Sequence, residues 1–213
     1  MITDERFVAY INSLDAGNPA YLDELEAYAI QTQVPIIRKE MQSFMRTMLL
    51  MNKPKRILEV GTAIGFSALL MSEFMPQDGH ITTIENYEKR IPIARANFQK
   101  YGKEDRITLL EGDAAEVLKT LEGPYDFIFM DAAKGQYIHY LPQIMRILTP
   151  GGVLISDNVM QDGDIIESKY AVTRRDRTIH RRMREYLYTL THHEELKTSI
   201  LTLGDGVAVS VRK

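Results

Sequence analysis

Residues 125–140, "YDFIFMDAAKGQYIHY", and residues 151–164, "GGVLISDNVMQDGD", decide how this chain is read. In the first, the apolar run Phe127-Ile128-Phe129-Met130 stops at Asp131, with Lys134 three residues on. In the second, Val153-Leu154-Ile155 passes to Asp157-Asn158. Runs that are apolar at successive positions suit strands covered on both faces, as in parallel sheets. Two such strands ending in oxygen-bearing side chains place a candidate site at one edge of a sheet.

Working outward, three more short runs have the same character: "RILEV" from Arg56, "HITTIE" from His80 and "RITLLE" from Arg106. Amphipathic segments separate them, around Ser67–Phe74, Lys89–Gln99, Ala114–Leu121 and Gln136–Leu148. Strands alternating with helices predict an α/β, doubly wound, Rossmann-like sheet with helices on both faces. The segment "TSILTLGDGVAVSVRK" breaks the pattern, since two strands flank the turn Gly204-Asp205-Gly206 and predict an antiparallel hairpin. The expected sheet is therefore seven-stranded and mostly parallel. Before it, "NPAYLDELEAYAIQTQ" and "PIIRKEMQSFMRTMLLMNK" read as helices separated at Pro35. In the second, Ile37, Met41, Phe44, Met45, Met48 and Leu49 recur at helical spacing, a stripe for core or dimer contact. No repeat or flexible linker interrupts the 213 residues, so one domain is expected, with residues 1–54 as helices packed on the core.

Bulk composition narrows the function classes. Apolar residues make up 45% and charged residues 26%, ordinary for a globular chain. Absence of cysteine excludes disulfides and thiolate metal sites and fits the reducing cytoplasm expected here. Asp4, Glu5 and Arg6 stand where a signal peptide needs a basic start and an apolar core, and no membrane partner is expected.

The turn after the first strand, "ILEVGTAIGFSALLM", carries Gly61 and Gly65 ahead of a helix, where backbone can approach a ligand closely and N–H groups are unpaired. A dinucleotide fingerprint would need glycine at Ala63, so pyrophosphate is not the expected ligand. Glu85 ends the second strand, where a carboxylate can accept both hydroxyls of a ribose. In "EGDAAE", Asp113 and Ala114 are placed to face an adenine edge. Together these strand ends point to an adenosine ligand. Asp131, Asp157 and Asn158 are hard oxygen donors that suit Mg²⁺. Taken singly, Asp131 would also serve as a helix cap and Asp157-Asn158 as a turn.

The ordered pattern Glu59-Val60-Gly61-Thr62-Ala63-Ile64-Gly65, Glu85, Gly112-Asp113-Ala114, Asp131-Ala132-Ala133-Lys134 and Asp157-Asn158 resembles the cation-dependent, catechol-type O-methyltransferases from about Tyr28 to Arg212. The resemblance implies S-adenosylmethionine as cofactor, with Ile37, Glu59, Gly61, Ser67, Glu85, Asp113, Ala114 and Asp131 about it. It likewise implies a Mg²⁺ or similar divalent cation on Asp131, Asp157 and Asn158, catalysis through Asp131 and Lys134 with Lys134 as general base, and a homodimer.

Substrate class rests on two features. The segment "KYAVTRRDRTIHRRMR", 169–184, holds seven Lys and Arg against one Asp in a chain of net charge −3. Ile179, Met183, Leu187 and Leu190 can face inward on a helix while Arg177, Arg181 and Arg184 face out. Such a face is either simply solvated or suited to a polyanion. In addition, "LEAYAIQTQVPI", "DAAKGQY" and "GDGVAVS" are similar to a bacterial branch of the family that methylates 5-hydroxyuridine in tRNA. That branch implies 5-methoxyuridine at the wobble position as product. The anticodon loop would be held through Lys169, Arg174, Arg175, Arg177, Arg181, Arg182 and Arg184. Catechols or hydroxycinnamoyl thioesters are the alternative substrates.

Overall fold

A computed structural model describes residues 3–213. One seven-stranded sheet runs through it: β1 (Arg56–Val60), β2 (His80–Glu85), β3 (Ile107–Glu111), β4 (Tyr125–Met130), β5 (Leu148–Ser156), β6 (Leu196–Leu201) and β7 (Val207–Arg212). The spatial order is β3-β2-β1-β4-β5-β7-β6. Strands β1 to β5 pair in parallel, whereas β7 runs antiparallel to both β5 and β6. The expected reversed hairpin is therefore present, and its second strand is the one that joins the sheet.

The helices are α1 (Glu5–Ser13), α2 (Ala20–Gln31), α3 (Lys39–Asn52), α4 (Phe66–Phe74), α5 (Ile91–Lys100), α6 (Ala114–Thr120), α7 (Tyr137–Ile147) and α8 (Arg177–His192). Two apolar layers result. Ile57, Phe127, Phe129, Val153 and Ile155 face α2, α3, α4 and α5, where Leu22, Met41, Met45 and Leu69 are fully or almost fully buried. Their strand neighbours Leu58, Val60, Ile128, Met130 and Leu154 face α6, α7 and α8. Successive strand residues point to opposite faces, so a sheet packed on both sides needs apolar residues at every position, as the runs show. Each large apolar side chain buried here contributes about 1.5–3 kcal/mol.

The methionine stripe is core. Met41, Met45 and Leu49 are buried, and Phe44 and Met48 pack on the same cluster. Helix α1 lies within the 1–54 stretch expected to be helical, although it was not read as an element of its own. Asp4 caps it by accepting Arg6 N–H at 2.9 Å, yet none of its residues is buried and Phe7, Tyr10, Ile11 and Leu14 remain exposed. Phe7, Tyr10, Ile11 and Leu14 recur at helical spacing, so the stripe is present in the sequence although the helix buries no face.

The basic segment needs two corrections. Only residues from Arg177 onward are helical; 168–176 is a series of turns, tied back where His180 Nε2 pairs with Glu167 O at 3.1 Å. The buried face of α8 is His180, Met183, Tyr186 and Leu190, with Ile179 and Leu187 half-buried on its flank. Polar His180 and Tyr186 entered that face because each has a hydrogen-bond partner inside. Among the described residues, no helix is long and apolar enough to cross a membrane.

Candidate active site

The carboxyl ends of β1, β2, β4 and β5 converge on a cleft of about 470 Å³. Gly61 opens its floor: with φ +107°, a Cβ there would stand 2.1 Å from the Asp131 carbonyl oxygen. Only glycine lets the β1 turn lie against the β4 end. Gly65, at φ +87°, begins α4 against the Phe98 ring, which a Cβ would meet at 2.5 Å. Between them Ala63 is left-handed, at φ +48°, and its N–H donates to Glu85 Oε2 at 2.7 Å. Glu85 Oε1 accepts two further N–H groups, from Asn86 and Tyr87, both at 2.9 Å. The carboxylate is held rigidly at the wall; Oε1 has both acceptor sites filled, and Oε2 retains one for a hydroxyl ligand.

Ser67, Gly61, Glu85, Ala114, Asp131 and Lys134 all line this cleft. Three other expected contacts lie elsewhere. Glu59 is fully buried behind the wall, where it accepts hydrogen bonds from Ser67 and, at 2.5 Å, from Thr83. Burial pushes its carboxyl up to about 7, opposed by those two hydroxyls and reinforced by the charges of Asp131 and Glu85. Asp113 caps α6, accepting Ala115 N–H at 2.7 Å, and is exposed outside the cleft lining. Ile37 lines an adjoining hollow of about 220 Å³, while its neighbour Ile36 lines both spaces. Sequence reading passed over Ile36, Tyr87, Arg90 and Tyr140. Tyr87 lies two residues past Glu85, so following the chain beyond the strand end would have reached it.

Asp131 and Asn158 face both spaces, and Asp157 faces the smaller one. The three side chains meet: Asn158 Nδ2 donates to Asp131 Oδ1 at 3.0 Å, and Asn158 N–H donates to Asp157 Oδ1 at 2.7 Å. Asn158 adopts φ +59°, a conformation asparagine tolerates better than most residues. Its amide nitrogen is used within the trio, which leaves the amide oxygen as the atom able to ligate a cation. Burial, then the negative charge of Asp131, pushes the Asp157 carboxyl up to about 7. Burial also raises Asp131, against the pull of Asn158 and Lys134. Among the described residues no three His, Cys, Asp or Glu side chains cluster as a cation site, so here the third ligand would be an amide. Two mutually repelling carboxylates beside an amide oxygen fit a hard divalent cation that keeps several waters. The cleft, with its fixed Glu85 and glycine floor, fits an adenosine-bearing cofactor.

Lys134 opens a 3₁₀ turn, Lys134–Gln136, between β4 and α7. Helix α8 packs on this turn through Arg182, which donates to Gly135 O at 3.1 Å. Arg184 is likewise engaged, donating to Ile165 O at 3.0 Å. Arg174, Arg175 and Arg181 make no hydrogen bond or ion pair to any described residue. Lys169, Arg177, Arg181 and Arg184 line a groove of about 530 Å³ along the start of α8.

Known proteins place this arrangement. The O-methyltransferase family profile matches residues 12–213. A catechol O-methyltransferase of Mycobacterium tuberculosis is 31% identical over 161 residues, 74% of this chain and 73% of that protein. Caffeoyl-CoA O-methyltransferase 2 of Populus trichocarpa is 30% identical over 180 residues, 79% of this chain and 71% of that protein. Among solved structures, the S-adenosylhomocysteine-bound methyltransferase PaMTH1 of Podospora anserina superposes with a TM-score of 0.88. It is 31% identical, covering 98% of this chain and 94% of its own. Fold, cleft and sequence agree: the chain belongs to the S-adenosylmethionine-dependent O-methyltransferase family.

Proposed function

We propose that this protein methylates the 5-hydroxyl of 5-hydroxyuridine at the tRNA wobble position, giving 5-methoxyuridine, with a divalent cation at Asp131, Asp157 and Asn158. The carrying observation is that this trio stands on the boundary between the cofactor cleft and a hollow of about 220 Å³. When bound, the cofactor supplies an electrophilic methyl group, and the cation lowers the pKa of a hydroxyl it touches and fixes its orientation. Glu85 Oε2 would accept a ribose hydroxyl, and the α4 amino terminus with Ser67 would receive the methionine end. Asp131, Asp157 and Asn158 would hold the cation at the place where the paired 5-hydroxyl and 4-oxo oxygens would bind. Lys134, on the cleft wall beside Asp131, would accept the 5-hydroxyl proton as that oxygen takes the methyl group, the methyl–sulfur bond breaking and the cofactor leaving as the neutral thioether.

The tRNA assignment is supported by the packing of α8 on the turn that carries Lys134. Exposed Arg174, Arg175 and Arg181 and the Lys169 groove then lie on the segment packed beside that turn, where an anticodon stem would bring phosphates. The names of the M. tuberculosis and Populus relatives favour a second reading, a catechol or hydroxycinnamoyl-thioester substrate. Nucleoside analysis of tRNA from cells with and without the protein separates them. Under our reading 5-methoxyuridine disappears and 5-hydroxyuridine accumulates; an unchanged nucleoside profile sinks it.

A further inference from the structure

The parallel ladder between β4 and β5 ends with Met130 opposite Ser156, one residue short of Asp131 and Asp157. Beyond it, one main-chain bond, Asp157 N–H to Met130 O at 2.9 Å, continues the pairing. The other tie is a side chain. Tyr137, the first residue of α7, is fully buried, and its hydroxyl oxygen accepts the Ala132 N–H at 3.2 Å. The same hydroxyl donates toward Met130 O at 3.1 Å and Asp157 O at 3.2 Å. It thus grips the residues on either side of Asp131 together with Asp157 itself. Tyr137 also directly follows the Lys134–Gln136 turn, so it anchors the far end of the segment bearing Lys134.

A second tyrosine supports the first. The Tyr137 ring meets Tyr186 of α8 edge-on, with centroids 5.5 Å apart and planes at 74°. Tyr186 pairs through its hydroxyl with Ser156 Oγ at 2.6 Å, one residue before Asp157. Burial and the charges of Asp131 and Asp157 raise the Tyr137 hydroxyl well above its ordinary range, so it stays a neutral donor.

We propose that Tyr137 is a positioning residue for the cation site: its hydroxyl sets the spacing of Asp131 and Asp157 and so the affinity for the divalent ion. The inference rests on the reading of these residues as cation ligands. A phenyl ring would fill the same volume, so packing alone does not require the oxygen. Without it, the Ala132 N–H and the Asp157 carbonyl are deprived of the only partner each has among the described residues, and the main chains of the two strand ends are left with the single Asp157 N–H to Met130 O bond. Groups that orient ligands from behind commonly govern metal affinity by about 10–100-fold.

The test uses the full chain as Tyr137→Phe and Tyr186→Phe, titrated with Mn²⁺ by electron paramagnetic resonance and with S-adenosylhomocysteine by calorimetry. Tyr137→Phe should lose about 10–100-fold in Mn²⁺ affinity, and Tyr186→Phe a smaller factor. Cofactor-product affinity should be little changed in both, because neither hydroxyl hydrogen-bonds Gly61, Ser67 or Glu85. Saturating Mn²⁺ should restore most of kcat while the Mn²⁺ requirement stays raised. Unchanged Mn²⁺ affinity overturns the proposal, as does an equal loss of both affinities, which would mark general damage. If Tyr137→Phe does not fold, Tyr186→Phe decides by the same two readings. An unmutated protein that binds no Mn²⁺ removes the cation reading itself, and is told apart because no variant is involved.

Discussion

Asp157 is the residue at which burial and function pull hardest against each other. Its carboxyl is driven up to about 7 by its surroundings and by Asp131, an arrangement that stabilises nothing by itself. Such tension is common where charge is held in readiness for a ligand. Asp157→Ala should therefore lower methyl transfer by about 100-fold or more, as loss of a ligand weakens cation and acceptor placement together. A chelator should inactivate the parent equally, with Mg²⁺ restoring it. Full turnover in excess chelator would end the cation mechanism. Glu59 supplies a separate test, through stability. Its folded value of about 7 exceeds its ordinary 4.5, so the folded chain keeps a proton that the unfolded chain has released. Stability from this group is complete below about pH 4.5 and drains away as pH rises to about 7. Glu59→Gln should flatten that decline, the difference between variant and parent growing by on the order of 3 kcal/mol across the interval. Urea unfolding at several pH values measures it; parallel profiles would show that Glu59 is ionised throughout.

Among the elements, α8 and the turns before it separate two uses of arginine. Arg182 and Arg184 satisfy main-chain carbonyls, whereas Arg174, Arg175 and Arg181 project without such duties. Neutralising Lys169, Arg174, Arg175 and Arg181 should raise KM for tRNA while leaving any turnover of a small catechol nearly unchanged. The salt slope of binding should become shallower by roughly 0.7 for each single-stranded phosphate that is no longer neutralised. Folded variants with the parent's KM and slope would reduce this segment to a solvated surface. The sequence showed less here than in the strands. Arg177 opens a helix without a side-chain cap, and the charges run unbroken across its start, so neither boundary nor partner was legible.

Across the whole molecule, legibility followed burial. The central strands β4 and β5 could be read because both faces are covered and their apolar runs are continuous, while β2 and edge strand β3 were read from shorter runs broken by Thr82, Thr83 and Thr108. Helices α2 and α3 were equally plain through their buried stripes. Helix α1 is the exception, since Phe7, Tyr10, Ile11 and Leu14 repeat at helical spacing yet stay exposed. At the site, strand ends disclosed Gly61, Glu85, Asp131, Asp157 and Asn158, since polar residues interrupt apolar runs there. Residues that enter from loops and helices, such as Ile36, Tyr87 and Tyr140, carry no such mark. Tyr137 escaped for another reason. A buried tyrosine on a helix looks like packing until its hydroxyl is followed to its partners.

The strand order also bears on how the chain is made. Strand β7 lies between β5 and β6 in the sheet, although it follows both in the chain. During synthesis Asp131, Asp157 and Asn158 therefore leave the ribosome well before the strand that shields Val153–Ser156. Until then β5 offers an unpaired apolar edge, the kind of surface that recruits other nascent chains or chaperones. A message truncated before Val207 would yield polypeptides holding Asp131, Asp157 and Asn158 on an unfinished sheet. Cellular quality control would meet them as aggregation-prone fragments, and a catalytic centre would exist only in chains translated through β7.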